Sequence, residues 1–447
     1  MKNSAQRVLV LGAGESGHAA AMALRAEGHP VTILDETEIS VDRLSGFRGA
    51  GVEVVSRADD IPDGSWHLGI VSPGFPSNHP WLLQLAAEDV PVLSELEFGW
   101  SRCNSPTISV TGSNGKSTLV RMICHILTFH GVRAIEAGNC GPPLSQVSMV
   151  DADWFVVEAS SFQLEQARSF RSEIGILLNL QPNHLDRHGD METYLDIKAK
   201  IFASALESDL CLLPSAHLEK FRRLTGRAAR WESFGSDQDA IWKCDEGHVW
   251  HSERRVARIP DARFHDPVMG HTLAAAVAAV GSAGIEATQA MAALPSFQFL
   301  PHRMETVGVW EGVTFINDSK STSLSATSAA LARCGKPVRL IAGGISKESE
   351  LTILSERLAE KAEFAFVMGR DGRRLADAWR GSVPVTVHDS LEEAFHAAVL
   401  DAGPGDTVLL SPGCTSFDQF ESYSDRGRHF RKLIDTWRRG NALAGKE

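Results

Sequence analysis

Along this chain, short apolar runs closed by glycine or proline alternate with longer stretches whose apolar positions recur at helical spacing. RVLVLGAG (7–14) reads as a buried strand and GHAAAMALRAEGH (17–29) as a helix ending at Gly28. PVTILDE (30–36) reads as a second strand, and HLGIVSPG (67–74) as a later one stopped by proline and glycine. Continuous apolar strands separated by helices predict a mostly parallel sheet covered on both faces, an α/β architecture. A second unit begins near PTISVTG (106–112), with further strands at 154–160, 174–180 and 208–214. The segment 241–260 alternates polar and apolar residues, which predicts antiparallel strands joined at Glu246–Gly247. Helices at 271–284 and 287–296 close that unit. A third unit follows FLPHR (299–303), with strands at 312–318, 337–344, 362–369 and 406–413. The expected domains are 1–97, 98–299 and 300–447.

At 447 residues the chain is too long for one ordinary core. Its formal charge of -12 contains no block of like charges and argues against nucleic acid as a partner. The seven cysteines form no C-x-x-C pair, which fits a reduced, cytoplasmic protein. The polar start, entering a strand by Arg7, argues against a signal peptide, and no apolar run is long enough to span a membrane.

Two glycine clusters carry candidate chemistry. GAGESG (12–17) follows a strand and opens a helix, and Asp35 and Glu36 close the next strand 18 and 19 residues past Gly17. That context matches the dinucleotide fingerprint, with a tight turn at Gly12 and close backbone approach at Gly14. A nicotinamide cofactor, another diphosphate and a ligand-free turn all remain open on this motif alone. TISVTGSNGKST (107–118) departs from the strict phosphate-loop pattern, whose first glycine would fall at Val110. The surroundings are nevertheless correct: a strand leads in and a helix with Leu119, Met122, Ile123, Ile126 and Leu127 on one side leads out. Gly112 and Gly115 can turn successive amides inward. Lys116 can reach β- and γ-phosphates, and the Ser117 hydroxyl can hold Mg²⁺. Glu158 closes a buried strand, and His184, with Asp186 and Arg187 beside it, follows another. Alone, the carboxylate reads equally as structural and the histidine as a loop residue. Together, three strand ends send polar groups to one sheet edge, where open parallel sheets bind ligands.

TGSNGKST (111–118), EASSFQL (158–164), NHLDRHG (183–189), YLDIKAKIF (194–202), LPHRME (300–305) and INDSKST (316–322) resemble, in order and spacing, the ATP-dependent Mur ligases. The N-terminal glycine unit, EASSFQL and LLSPGCTSFDQF (409–420) resemble most the branch of that family that adds D-glutamate. The resemblance implies a Rossmann-like N-terminal domain, a central P-loop ATPase-type domain and a Rossmann-like C-terminal domain. It implies ATP contacts from Thr111, Gly112, Ser113, Asn114, Gly115, Lys116, Ser117, Thr118, Arg303 and Asp318. UDP-substrate contacts are implied for Glu15, Ser16, Glu36, Thr37, Gly74, Asn139, Ser160 and Gln163. Glutamate is implied to meet Thr322, Lys347, Ser416, Phe417 and Tyr423. Two Mg²⁺ sites are implied at Ser117, Glu158, His184 and a carbamylated Lys198, a lysine that otherwise reads as a solvated helix residue. Lys347 otherwise reads as an exposed loop lysine.

The implied reaction joins UDP-N-acetylmuramoyl-L-alanine to glutamate with ATP through an acyl phosphate, giving ADP and phosphate. Catalysis there is positioning and charge neutralisation by Lys116, Asn139, His184, Lys198 and Lys320. The expected partners are these small molecules, acting on a monomer. Thr272 and Ala275 stand where asparagines often flank adenine in the family, which leaves adenine recognition open. Phe417 and Tyr423 replace commoner Leu and Phe, which leaves the glutamate enantiomer open. Other readings are another Mur-type or folylpolyglutamate-type ligase, a nicotinamide oxidoreductase, and a non-catalytic nucleotide switch.

Overall fold

The computed structural model describes residues 6–335 and 337–444; the chain start on which the leader expectation rests lies partly outside them, at 1–5. The described residues form three sheets. The first holds β1 (Val8–Leu11), β2 (Val31–Asp35), β3 (Glu53–Ser56), β4 (Leu68–Val71) and β5 (Val92–Ser94) in the order β3-β2-β1-β4-β5, all parallel. The second holds β6 (Thr107–Thr111), β7 (Ala134–Gly138), β8 (Trp154–Glu158), β9 (Ile174–Leu177), β10 (Leu210–Pro214), β11 (Arg230–Phe234), β12 (Trp242–Asp245), β13 (His248–His251) and β14 (Arg254–Arg258). Its order is β14-β13-β12-β11-β10-β9-β6-β8-β7, parallel except for the antiparallel β12–β13–β14 end. The third holds β15 (Glu305–Trp310), β16 (Val313–Asn317), β17 (Val338–Gly343), β18 (Ala362–Met368), β19 (Val385–His388) and β20 (Thr407–Leu410), in the order β15-β16-β20-β17-β18-β19. Only β15 runs antiparallel to its neighbour there. By contacts the chain separates into two compact units, Met1–Leu180 with Arg187–Phe297, and Gln181–Asp186 with Gln298–Glu447.

The apolar runs behave as their composition dictates. Leu9, Val10 and Leu11 of β1 and Phe155, Val156 and Val157 of β8 are buried on both faces, as expected of strands under helical layers. The helix Lys116–Phe129 buries Leu119, Met122, Ile123, Ile126 and Leu127, the stripe read from the sequence. The hairpin at Glu246–Gly247 is present, with both residues at positive φ, 47° and 72°, but 241–260 carries three strands.

Several element ends differ from expectation, and two of them shape the sites. The first helix starts at Glu15 rather than 17 and ends at Ala26, because Gly14 already serves as its N-cap. The strand expected over 174–180 stops at Leu177, freeing Leu178–Leu180 for the loop that lines the site described below.

The boundary expected at 97 falls inside a buried helix, Glu95–Trp100. Glu95 Oε1 accepts from the Ser145 amide and hydroxyl at 2.8 and 2.6 Å, and Glu97 accepts from the amides of Arg168 and Ser169 at 3.0 and 2.6 Å. A Cβ on Gly99 would lie 2.5 Å from the Ser145 nitrogen, so only glycine allows this approach. The first two sheets are thus joined by a packed helix.

Candidate active site

β6, β8 and β9 lie side by side, β6 in the middle, and their carboxyl ends open onto one edge. Val110 is still within β6, paired with Glu158 and Ile176, so glycine is not needed there. The turn comes two residues later: Gly112 has φ 150° and Gly115, the helix N-cap, φ 80°. Asn179 shapes the loop, its Oδ1 accepting from the Ser113 and Asn114 amides at 3.0 and 2.9 Å while Nδ2 donates to the Asn114 carbonyl at 2.9 Å. Lys116 Nζ folds back onto the carbonyls of Gly112 and Ser113 at 2.9 and 3.0 Å. Thr118 follows on the first turn, half-buried. The helix N-terminus, its dipole and the lysine make this loop suited to an anionic phosphate chain.

Glu158, at the end of β8, is 2% exposed. Its carboxylate accepts from the Ser117 hydroxyl at 2.5 Å and from Asn139 Nδ2 at 2.7 Å. Asn139 is held in turn by its own amide, which donates to the Glu158 carbonyl at 2.9 Å. Lys198 is fully buried on the helix Met191–Ala199; its Nζ donates to Thr111 Oγ1 at 3.0 Å and the Gly112 carbonyl at 2.9 Å. Burial, reinforced by repulsion from Lys116, holds the Lys198 amine well below the usual lysine range, and the attraction of Glu158 does not offset it. The solvated-lysine reading of Lys198 is therefore overturned: the side chain is interior and ends at the phosphate loop. Tyr194, one turn earlier, presents its ring 5.1 Å from Lys198 Nζ and its hydroxyl 3.2 Å from Ser113 Oγ. Ser160 and Gln163 are engaged with each other: they form a capping box at the start of the helix Ser161–Glu165. His184 lies in the 181–186 segment, which groups with the C-terminal unit, at φ 56°.

A cavity of about 490 Å³ opens at the carboxyl ends of the first sheet, lined by Gly12, Gly14, Glu15, Ser16, Glu36, Gly74 and His79 among others. Gly17 is obligatory there, since a Cβ would fall 1.8 Å from the Gly12 carbonyl oxygen. Thr37 is not among the lining residues; its hydroxyl and amide donate to Asp35 at 2.6 and 2.9 Å. Asp35 also accepts from the Ala13 amide at 2.8 Å. Burial pushes the Asp35 carboxyl up, but these bonds outweigh it and leave it below the usual range.

In the C-terminal unit the ends of β16, β17 and β20 are adjacent. Asp318 is buried and accepts from the Met304 amide at 3.0 Å and the Ser321 and Ser411 hydroxyls at 2.5 and 2.8 Å. Burial is the largest influence on it and raises its carboxyl. Arg303, one residue before Met304, is half-buried. Lys320 Nζ stands 3.8 Å from the centroid of the Tyr423 ring. Burial raises the Tyr423 phenol, yet Lys320 and a bond with Ser424 outweigh it and leave it below the usual value. Ser416 is buried, Thr322 half-buried, Lys347 exposed and Phe417 71% exposed.

Sequence reasoning did not single out Asn179, Tyr194, His79 or His271. The signals were slight: a polar residue ending an apolar strand, an aromatic one turn from Lys198, a histidine capping the helix Pro80–Ala87, and a histidine inside the helix Pro267–Ser282. His271 Nε2 meets the Leu178 carbonyl at 2.9 Å, and burial lowers its imidazole value.

Residues 110–283 match the Mur ligase middle domain, and residues 302–414 the Mur ligase, glutamate ligase domain. The UDP-N-acetylmuramoylalanine--D-glutamate ligase of Koribacter versatilis (strain Ellin345) is 34% identical over 96% of this chain and 97% of its own. The protein of the same name from Solibacter usitatus (strain Ellin6076) is 35% identical over 97% of this chain and 99% of its own. The fold is that of the MurF ligase from Thermotoga maritima solved in complex with ADP, with a TM-score of 0.58, 16% identity, and coverage of 91% of this chain and 95% of that one. Among the described residues no helix is long and apolar enough to cross a membrane. The chain belongs to the Mur ligase family, and its full-length likeness is to the D-glutamate-adding ligases.

Proposed function

We propose that the protein is an ATP-dependent ligase that joins glutamate, as the D-enantiomer, to UDP-N-acetylmuramoyl-L-alanine. The observation that carries this reading is the convergence of a phosphate loop with the Ser117–Glu158–Asn139 cluster and a buried, charge-poor Lys198 at one sheet edge. The domains are proposed as 1–97 for the UDP moiety, 98–299 for ATP and 300–447 for glutamate.

The residues present fit Mg²⁺: Ser117 and Glu158 bring two hard oxygens together at the loop, donors that magnesium prefers. When bound, the metal supplies charge neutralisation for the phosphates. Lys198 supports a second acidic ligand by its own chemistry. Burial favours the neutral amine, the form that attacks CO₂; the N–C bond forms, a proton leaves and a carbamate anion remains. His184 is proposed as a further ligand. Lys116 neutralises the γ-phosphate as the muramoyl-alanine carboxylate attacks phosphorus and ADP departs. Asn139 and His184 orient that carboxylate. The glutamate amine then adds to the acyl phosphate carbon, and the tetrahedral intermediate expels phosphate. Arg303 and Asp318 serve the ATP side, Lys320 and Thr322 the reacting centre, and Lys347, Ser416, Phe417 and Tyr423 the glutamate. Glu15, Ser16, Glu36, Thr37, Gly74, Ser160 and Gln163 hold the UDP-linked substrate. We further propose a cytoplasmic monomer.

The test is phosphate release with ATP, the UDP-sugar substrate and each glutamate enantiomer. Release that requires both partners and favours D-glutamate is expected. Release independent of both partners refutes the ligase reading, and a preference for L-glutamate refutes the stereochemical part.

A further inference from the structure

The loop after β4 forms one rim of the N-terminal cavity, and two side chains from the second sheet's layer grip its backbone. Arg187 Nη1 donates to the Gly74 carbonyl at 2.9 Å and Nη2 to the Phe75 carbonyl at 2.7 Å. The same guanidinium donates to Glu165 Oε2 from Nε and Nη2 at 3.2 and 3.1 Å. The other oxygen, Glu165 Oε1, accepts from the Ser77 amide at 2.9 Å. One ion pair thus takes main-chain groups of three rim residues. The Arg187 fork matches a carboxylate and two carbonyls at once, which a lysine cannot do.

Both anchors are rooted beside the candidate chemistry. Glu165 ends the helix Ser161–Glu165, which begins just past Glu158. Arg187 lies over the Phe162 ring at 5.2 Å, and its neighbour His188 shares a 3.0 Å hydrogen bond with Ser161 Oγ. An exposed ion pair between such residues contributes little. This one is 20% and 10% exposed, and its further side-chain hydrogen bonds go to one loop.

We propose that Glu165 and Arg187 are a positioning pair that sets the 74–77 rim against the phosphate-loop sheet and thereby determines how tightly a UDP-linked substrate is seated. The proposal rests on the ligase reading for its substrate, but the strap itself is independent of the chemistry. Neither residue touches the reacting atoms; each acts through the backbone of the rim.

The experiment uses the full chain with Arg187→Met and Glu165→Gln, singly and together. Phosphate release is measured with the UDP-sugar substrate and ATP varied in turn, and UDP alone is titrated calorimetrically. Loss of charge-assisted bonds of this kind predicts a rise of about tenfold or more in KM for the UDP-sugar and in Kd for UDP. KM for ATP stays within about twofold, and the double variant is no worse than the poorer single one, as for groups acting as a unit. Arg187→Lys keeps the charge without the fork and regains only part of the affinity; it also serves as the test where the methionine variant does not fold. Equal changes in both KM values, additive losses, or an unchanged Kd for UDP overturn the strap. If the unmodified protein releases no phosphate with these substrates, the ligase reading falls, while the UDP titration still decides the strap.

Discussion

Arg426 offers the sharpest separation of stability from activity. It lies on the helix Tyr423–Ala444 and is 0% exposed. Its guanidinium donates to the Ser319 hydroxyl at 2.9 Å, the Ser319 carbonyl at 2.8 Å and the Cys414 carbonyl twice at 3.1 Å, with Gly343 at 3.5 Å. All these acceptors are neutral. Burial lowers its pKa to about 10, with Asp418 and Asp318 among the groups that oppose the fall. At about 1.4 kcal/mol per pH unit, holding the charge there costs about 3 kcal/mol. Arg426→Met removes that cost and forfeits four short hydrogen bonds from a charged donor, worth about 1.5–2 kcal/mol each, a net loss of about 3–5 kcal/mol. The bonded residues begin the loops that carry Lys320, Thr322, Lys347 and Ser416. Freeing those loops by about 1 Å is expected to lower kcat/KM for glutamate about a hundredfold, with KM for ATP less affected. Urea unfolding and two-substrate kinetics give both quantities on one preparation. A stability loss below about 1 kcal/mol refutes the accounting, and full glutamate turnover refutes the positioning.

Three further outcomes are expected. Lys116→Ala should abolish turnover while calorimetry shows UDP-substrate binding nearly intact; loss of that binding would contradict separate UDP and ATP regions. Lys198→Ala should lose activity and regain part of it with added short carboxylates, because these can replace a carbamate; a folded variant that no carboxylate rescues removes the second-metal role. Glu95 is buried, with Oε2 unpartnered among the described residues, and burial raises its carboxyl above the usual value against the bonds from Ser145. The folded state therefore favours the neutral acid: its contribution is full below the free-carboxyl value of about 4.3 and is lost as pH rises through the raised value. Glu95→Gln should become progressively more stable relative to wild type from about pH 4 to pH 7 by thermal unfolding, and a pH-independent difference would refute the assignment.

Much of the fold was legible because interior parallel strands bury both faces and so read as apolar runs; β1, β8 and β20 are of this kind. The strands missing from the sequence reading were β3, β5, β7, β15 and β19 at sheet edges, together with β11. VTVH of β19 and EVVS of β3 are largely half-exposed or exposed, so no continuous apolar signal exists to find. The site was legible where local chemistry dictates local shape, as at Gly112–Ser117. It was not legible where tertiary placement alone gives a residue its character. Lys198 is the clearest case: nothing in YLDIKAKIF distinguishes it from Lys200, and only the fold buries one completely and leaves the other half-buried with its Nζ on the Glu165 carbonyl.

The first glycine cluster marks the limit of motif reading. G-x-G-x-x-G reports how tightly a strand, turn and helix pack, and Gly17 against the Gly12 carbonyl satisfies that need whatever is bound. The acid that ends the second strand is what would distinguish a ribose-binding site. Here Asp35 Oδ1 holds Thr37 and Oδ2 holds the Ala13 amide, so both oxygens brace the turn itself. Glu36 lines the cavity beside Asp35 and meets His79 Nε2 at 3.1 Å. The polar edge offered to a ligand therefore adds to Asp35 a glutamate–histidine pair displaced by one residue from the fingerprint. The motif predicts a cradle; the side chains one residue beyond it determine what the cradle can hold.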